Sequence, residues 1–254
     1  MLNSDLPTIP VVEDIAPVEC NMASTVEDQI GRLQVVTQRY EIEHYLDGIG
    51  TVSMDDISPE ALLSKEGFDA LRSRLSPEED ESFMKDGILV EHDGKKLYFD
   101  KYNWNSVPFV VKRGEEYLGS ARLIIKNGFG LPTTNDPRIE ISHLWKDNAD
   151  KCPAEFSQFA VKKGAPMDTS VRLLKAAYDY SNYAGIKDWV ATTDNSVVRL
   201  LNSSFFKFNL PYIGPSVDYL GSESTPIYID LEKALNNASQ FDSSRKIASF
   251  IRGV

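Results

Sequence analysis

Ala154-Glu155-Phe156-Ser157-Gln158-Phe159-Ala160-Val161 places a carboxylate and a hydroxyl two residues apart and then runs into apolar sequence. Side chains alternate across a strand, so Glu155 and Ser157 share one face. A polar strand end in water accounts for the pattern by itself. A carboxylate at the mouth of a buried strand also tends to a raised pKa, and can then act as a base near neutral pH. The flanking sequence bears on this choice. Downstream, Asp168 or Thr169 caps a helix running to about Tyr183, with Val171, Leu174, Ala177 and Tyr178 facing inward and Gly185 closing it. Asp188 to Thr193 reads as the next strand, and Asn195 to Ser203 as a short helix capped by Asp194 or Asn195. Strands are expected around Tyr212 and from Pro226 to Leu231.

Upstream, the period changes from helical to alternating. Ile30, Leu33, Val36, Tyr40 and Tyr45 fall at helical spacing, and Gly48 and Gly50 end that helix. Residues 57–85 form a helical insertion, because Ser58-Pro59-Glu60 and Ser76-Pro77-Glu78-Glu79 both read as helix starts with a serine cap and proline at the first helical position. From Gly87, His92-Asp93-Gly94 and Lys112-Arg113-Gly114-Glu115-Glu116 each join two strands as a hairpin. Meandering strands followed by strands alternating with helices predict an α/β (α+β) fold. Its central sheet is mixed and mostly antiparallel, with helices on both faces. The predicted organisation is a poorly ordered arm over 1–25, one domain over 26–235 that includes the insertion, and a C-terminal helix or tail over 236–254.

The chain has 254 residues, 42% of them hydrophobic and 26% charged, with formal net charge −11. That charge disfavours general nucleic-acid binding, which needs a basic face. Lys162, Lys163, Arg172 and Lys175 form one local basic patch on an otherwise acidic chain. Two cysteines and three histidines, without C-x-x-C or H-E-x-x-H, point away from a disulfide framework and from a zinc site. No stretch reaches the ~18 apolar residues of a membrane span. The polar, acidic N-terminus does not read as a secretory signal, so the expected compartment is the cytoplasm.

Four motifs in order carry a resemblance. They are Asp100-Lys101-Tyr102-Asn103-Trp104-Asn105-Ser106, Gly119-Ser120-Ala121-Arg122-Leu123-Ile124, Leu131-Pro132, and Glu155 through Val161. They resemble the D-x-Y-D-x-x-S, G-t-a-R-l-i, Leu-Pro and E-x-S-R-f-a-V elements of the acyl-homoserine-lactone synthases and the N-acyl amino acid synthases. Both belong to the GNAT acyltransferase superfamily. The resemblance covers roughly residues 30–235 outside the insertion. Asn103 stands where the family has a second acid and Gln158 where it has an arginine. Losing one charge of each sign together keeps the expected Asp100–Arg122–Glu155 cluster balanced. Glu140-Ile141-Ser142-His143 is a second match to E-x-S-R, ranked below the first because no apolar strand and capped helix follow it.

The resemblance implies a GNAT-like fold and an N-acyltransferase that joins an amine to a thioester carbonyl. Glu155 is then either the base that takes a proton from the amine or a salt-bridge partner of Arg122, with equal weight. Ser157 hydrogen-bonds the thioester or protonates the leaving thiol, unless it is an ordinary strand-face hydroxyl. Arg122 braces Asp100 and Glu155; Asp100 anchors the acceptor's ammonium or caps its own loop. Asn103 and Gln158 complete the substrate-binding set. The implied co-substrate is an acyl-phosphopantetheine thioester, on an acyl carrier protein or coenzyme A, with no permanently bound cofactor and no metal. Lys162-Lys163-Gly164-Ala165-Pro166-Met167-Asp168 is a poor pyrophosphate cradle, which favours the carrier protein. The patch of Lys162, Lys163, Arg172 and Lys175 would dock an acidic carrier. The acceptor is the amine of an amino acid or related small molecule. The alternatives are homoserine-lactone synthesis from S-adenosylmethionine and a catalytically silent acyl- or carrier-binding module. Phe205, Phe206, Phe208, Tyr212 and Tyr219 either line an acyl tunnel or fill ordinary core.

Overall fold

The computed structural model describes residues 17–254. In chain order the elements are β1 (Val18–Met22), α1 (Val26–Ile42), β2 (Thr51–Ser53), α2 (Pro59–Leu62), α3 (Lys65–Arg74), α4 (Pro77–Asp86), β3 (Ile88–His92) and β4 (Lys95–Phe99). After a 3-10 turn at Asn103–Asn105 come β5 (Ser106–Arg113), β6 (Glu116–Ile125), α5 (Pro132–Asn135), α6 (His143–Lys151), β7 (Ala154–Val161) and α7 (Asp168–Ala184). The chain finishes with β8 (Asp188–Asp194), α8 (Asn195–Asn202), β9 (Val217–Tyr219), β10 (Ser222–Asp230), α9 (Leu231–Ser239) and α10 (Asp242–Arg252).

Seven strands form one sheet in the order β1-β5-β6-β7-β8-β10-β9. Every neighbouring pair in it is antiparallel except β7 with β8. The architecture is the mixed, mostly antiparallel sheet with helices on both faces that the sequence predicts. The first hairpin departs from that picture: β3 pairs with β4 on one side and β2 on the other in a separate three-stranded sheet. Hairpin chemistry fixes which strands pair locally, but nothing in it says which sheet they join.

The caps explain the helix boundaries. Thr25 accepts the Asp28 N–H at the start of α1. Ser58 and Ser76 cap α2 and α4 with proline in the first turn, and Ser76 with Glu79 forms a full capping box. Gly185 closes α7 at φ +71°, a left-handed position that glycine takes without strain. Helix α1 lies on one face of the large sheet, where Val35 and Val36 pack with Ala160. On the other face, Val171, Leu173, Leu174 and Ala177 of α7 meet Leu123 and Phe156. Contact there is close: a Cβ on Gly119 of β6 would meet Thr169 Cγ2 at 2.7 Å.

The N-terminal end differs from expectation. Val18–Met22, read as part of an arm over 1–25, is the edge strand paired with β5; residues 1–16 of that arm lie outside the described residues. Residues 236–254 hold the end of α9 and all of α10, whose Ala248 and Ile251 join the main core. Tyr212 makes only an isolated bridge to Ile227, and β9 takes the edge position beside β10. The rival Glu140–His143 match lies at the start of α6, not in a strand. No helix among the described residues is long and apolar enough to cross a membrane. No group of three or more metal-ligating side chains gathers among them.

Candidate active site

Two irregularities of β7 build the site. First, β7 pairs with β8 only at Ala154–Trp189 and Glu155–Val190, although β7 continues to Val161 and β8 to Asp194. The strands part immediately after Glu155, and a cavity of about 170 Å³ fills the gap. Its walls come from β7 (Glu155 to Phe159), β8 (Ala191 to Asp194), α8, α1 and the inserted helix α4. Second, the β6–β7 register shifts between Ser120 and Arg122, and Gln158 takes φ +50°. The resulting bulge breaks the alternation of side chains. Phe156 and Phe159, three residues apart, pack in the α7-side core, whereas Ala160 joins the α1-side cluster.

Arg122 sits opposite Ser157, and Ile124 opposite Glu155. The Arg122 side chain is 2% exposed and clamps Asp100 in bidentate fashion, Nη1 donating to Oδ1 at 2.8 Å and Nη2 to Oδ2 at 2.5 Å. Nη1 also donates to Asn103 Oδ1 at 2.7 Å, and Nη2 reaches Ser157 Oγ at 3.4 Å. Asn103 thus serves the guanidinium as a neutral acceptor. Asp100 caps its loop as well, accepting the Tyr102 N–H at 2.9 Å. Asp100, Asn103, Arg122 and Ser157 are therefore brought together.

Glu155 is not part of that clamp. It is 3% exposed, and its Oε2 accepts the backbone N–H of Thr133 at 2.8 Å. The expected brace from Arg122 to Glu155 is absent because both Nη atoms are committed to Asp100 and Asn103. Burial pushes the Glu155 carboxyl up to about 8; hydrogen bonding to Thr133 and the Arg122 charge oppose the shift, and Asp100 adds to it. The folded pKa lies above the unfolded one, so this group's contribution to stability is complete below about pH 4.3 and is lost as pH rises through about 8. Between those limits wild-type stability should fall by up to about 1.4 kcal/mol per pH unit more than that of Glu155→Gln. Urea midpoints measured from pH 5 to 9 check this, and parallel curves would mean that Glu155 is ionised throughout.

Gln158 stands apart from Arg122 and accepts a hydrogen bond from Arg32 Nη1 at 2.9 Å. Arg32 therefore adds a buried cation to the cluster, which is not balanced as the paired loss at Asn103 and Gln158 suggested. The basic patch also changes meaning. Lys162 lies 2.6 Å from Glu116, Arg172 2.8 Å from Asp168 and Lys175 3.0 Å from Asp179. Only Lys163 of the four lacks an acid partner among the described residues, so they do not form an uncompensated docking face. The aromatic set divides too: Tyr219 lines the cavity, Phe206 is core, and Tyr212 is exposed.

A family model described as N-acyl amino acid synthase FeeM matches residues 80–208, about half of the chain. The chain belongs to the FeeM family. No curated protein matches it in sequence. Among solved structures, FeeM, an N-acyl amino acid synthase from uncultured soil microbes, is 14% identical with a TM-score of 0.53, over 87% of this chain and 95% of that one. The coenzyme A-dependent acyl-homoserine lactone synthase BjaI, with S-adenosylmethionine and isopentyl-CoA, is 12% identical with a TM-score of 0.50, over 94% and 90%. At these identities the two likenesses concern the fold. Family and fold together make the chain an acyltransferase of the FeeM and acyl-homoserine-lactone synthase type.

This FeeM-family site contains residues that the motifs missed. Thr133 holds Glu155 and hydrogen-bonds Thr192 of β8 through its hydroxyl at 2.9 Å. Its signal was the Leu131-Pro132 pair, which reads as a helix start with free N–H groups. Arg32 had a signal as well, a charge set between Ile30 and Leu33 on an inward-facing helix.

Proposed function

We propose that the protein transfers a fatty acyl group from a phosphopantetheine thioester, carried on an acyl carrier protein, to the amine of an amino acid or a related small molecule. One observation carries this reading: β7 and β8 part at Glu155, so the cavity opens directly onto a buried carboxylate. The cavity continues between Phe156, Leu201 and Ile229, which also line a smaller apolar cavity of about 30 Å³ with Leu174, Trp189 and Phe208. An acyl chain suits those walls.

In this reading Glu155 takes a proton from the acceptor's ammonium, since only the neutral amine is nucleophilic. An acceptor ammonium beside Glu155 favours its ionised form. The amine nitrogen attacks the thioester carbonyl, and the carbonyl oxygen takes up the negative charge. A bulge leaves its extra residue unpaired, and a backbone N–H so released at Gln158 or Phe159 would serve that oxygen. Collapse breaks the C–S bond; the nitrogen gives up a second proton, the thiolate takes one, and one proton leaves to solvent. Ser157, within reach of Arg122, relays the proton to sulfur. Asp100 binds the acceptor's ammonium only through a shared contact, because Arg122 occupies both its oxygens.

The loop before α7 supports the carrier-protein donor, having the single positive-φ Gly164 and a cap residue, Met167, without a side-chain cap bond. The experiment presents acyl-carrier protein and acyl-CoA of matched chain length with a pool of amino acids and, separately, S-adenosylmethionine. Mass spectrometry is expected to show an N-acyl amino acid, formed faster from the carrier-protein donor. An acyl-homoserine lactone would move the acceptor assignment. No acylated product from any donor would leave the silent binding module.

A further inference from the structure

With Glu155 neutral, the floor of the cleft sets two guanidinium groups, Arg122 and Arg32, against one carboxylate, Asp100. The Arg122 guanidinium is matched by both oxygens of Asp100. Arg32 comes in from α1, is 1% exposed, and has no carboxylate within ion-pair distance among the described residues. Its hydrogen bond is the one to Gln158 Oε1 at 2.9 Å. The Arg32 Nε and the Gln158 Nε2 are both buried without a partner among the described residues. An unmatched buried guanidinium is costly, and an aliphatic residue would suit α1 beside Ile30, Leu33 and Val36. Burial, and then the charge of Arg122, lower the Arg32 pKa to about 9, and the charge of Asp100 offsets only part of that shift. A guanidinium still holds its proton near neutrality.

The residue that Arg32 holds is itself unusual. Gln158 is a non-glycine residue at φ +50°, a conformation costing on the order of 1 kcal/mol or more. It occupies the bulge and lines the cavity. The guanidinium is therefore hydrogen-bonded to the residue at which the β6–β7 ladder is interrupted.

We propose that Arg32 is a positioning residue for acyl transfer: through Gln158 it holds the β7 bulge in shape, and it backs the thioester oxygen with an uncancelled positive charge. This rests on the acyl-transfer reading of the cleft. Its value to the reaction is greatest when the carbonyl oxygen is an anion, so its loss falls on kcat more than on KM.

The test measures kcat, KM for both substrates, and urea midpoints for wild type, Arg32→Met, Arg32→Lys and Gln158→Glu. Arg32→Met should lower kcat about tenfold or more with KM changed by less than about twofold, and Arg32→Lys should recover most of the loss. Gln158→Glu gives Arg32 a counter-ion; it should be at least as stable as wild type yet slower, which a purely structural role would not produce. It also decides the matter if Arg32→Met does not fold. Wild-type kcat in Gln158→Glu and in any folded Arg32→Met overturns the proposal while leaving acyl transfer standing. A wild type without turnover on any donor removes the acyl-transfer reading and the role of Arg32 with it.

Discussion

Replacing Glu155 by glutamine is expected to lower kcat about 10²- to 10⁴-fold, the usual share of a positioned general base. The substitution isolates that role. A glutamine has nearly the same shape, and its amide oxygen accepts the Thr133 N–H that Glu155 Oε2 now accepts. Below about pH 8 the buried carboxyl is mostly neutral, so the substitution removes little charge from the folded protein. Because the unfolded glutamate ionises above about pH 4.3, the variant's urea midpoint should exceed that of the wild type at pH 6, with the gap closing as the pH falls toward about 4.3. What disappears is the capacity to take a proton. For the wild type, kcat/KM should rise with pH through about 8 as Glu155 ionises in the free enzyme. In the variant that limb should be lost. An unchanged rate and an unchanged limb would assign deprotonation to a water path instead.

The largest effect on stability is expected at Arg122. Arg122→Met should destabilise the fold by about 3–5 kcal/mol, the range for breaking one partner out of a buried ion pair. The loss is large because Asp100 then keeps a carboxylate in the cleft with neither of its two guanidinium hydrogen bonds. Asn103 Oδ1 also loses its donor, while Ser157 loses only a long contact. Adding Asp100→Asn to Arg122→Met should recover a substantial part, since neutralising both partners leaves no unpaired charge. Urea unfolding of the two single variants and the double variant closes the cycle. Simple addition of the two single effects would show that the pair is not coupled, and that solvent at the partly exposed Asp100 takes over from the guanidinium.

Much of the architecture was legible along the chain because the signals are local. Serine–proline helix starts announced α2 and α4, Gly185 announced the end of α7, and the turns at His92-Asp93-Gly94 and Gly114 announced both hairpins. The motif order also pointed to the neighbourhood of the site, since Asp100, Asn103, Arg122 and Ser157 do meet. Helix α6 and the edge strand β1 were not legible. The first is mostly exposed and weakly patterned, and the second is defined only by its partner β5.

Local chemistry therefore settles the element types, their boundaries and the residues sharing a strand face near Glu155. The tertiary structure decides how those faces are charged and where they open. Alternation placed Glu155 and Ser157 together, yet it fails at Gln158, where a bulge turns Phe159 toward α7 and Ala160 toward α1. The guanidinium of Arg32 arrives beside Gln158 from 126 residues away, and the amide of Thr133 reaches Glu155 from 22 away. Such contacts depend on the docking of α1 and α5 against β7, which no period within β7 encodes. A motif can name the residues of a charge cluster; only packing determines which of them are paired, and so which carboxyl stays free to move a proton.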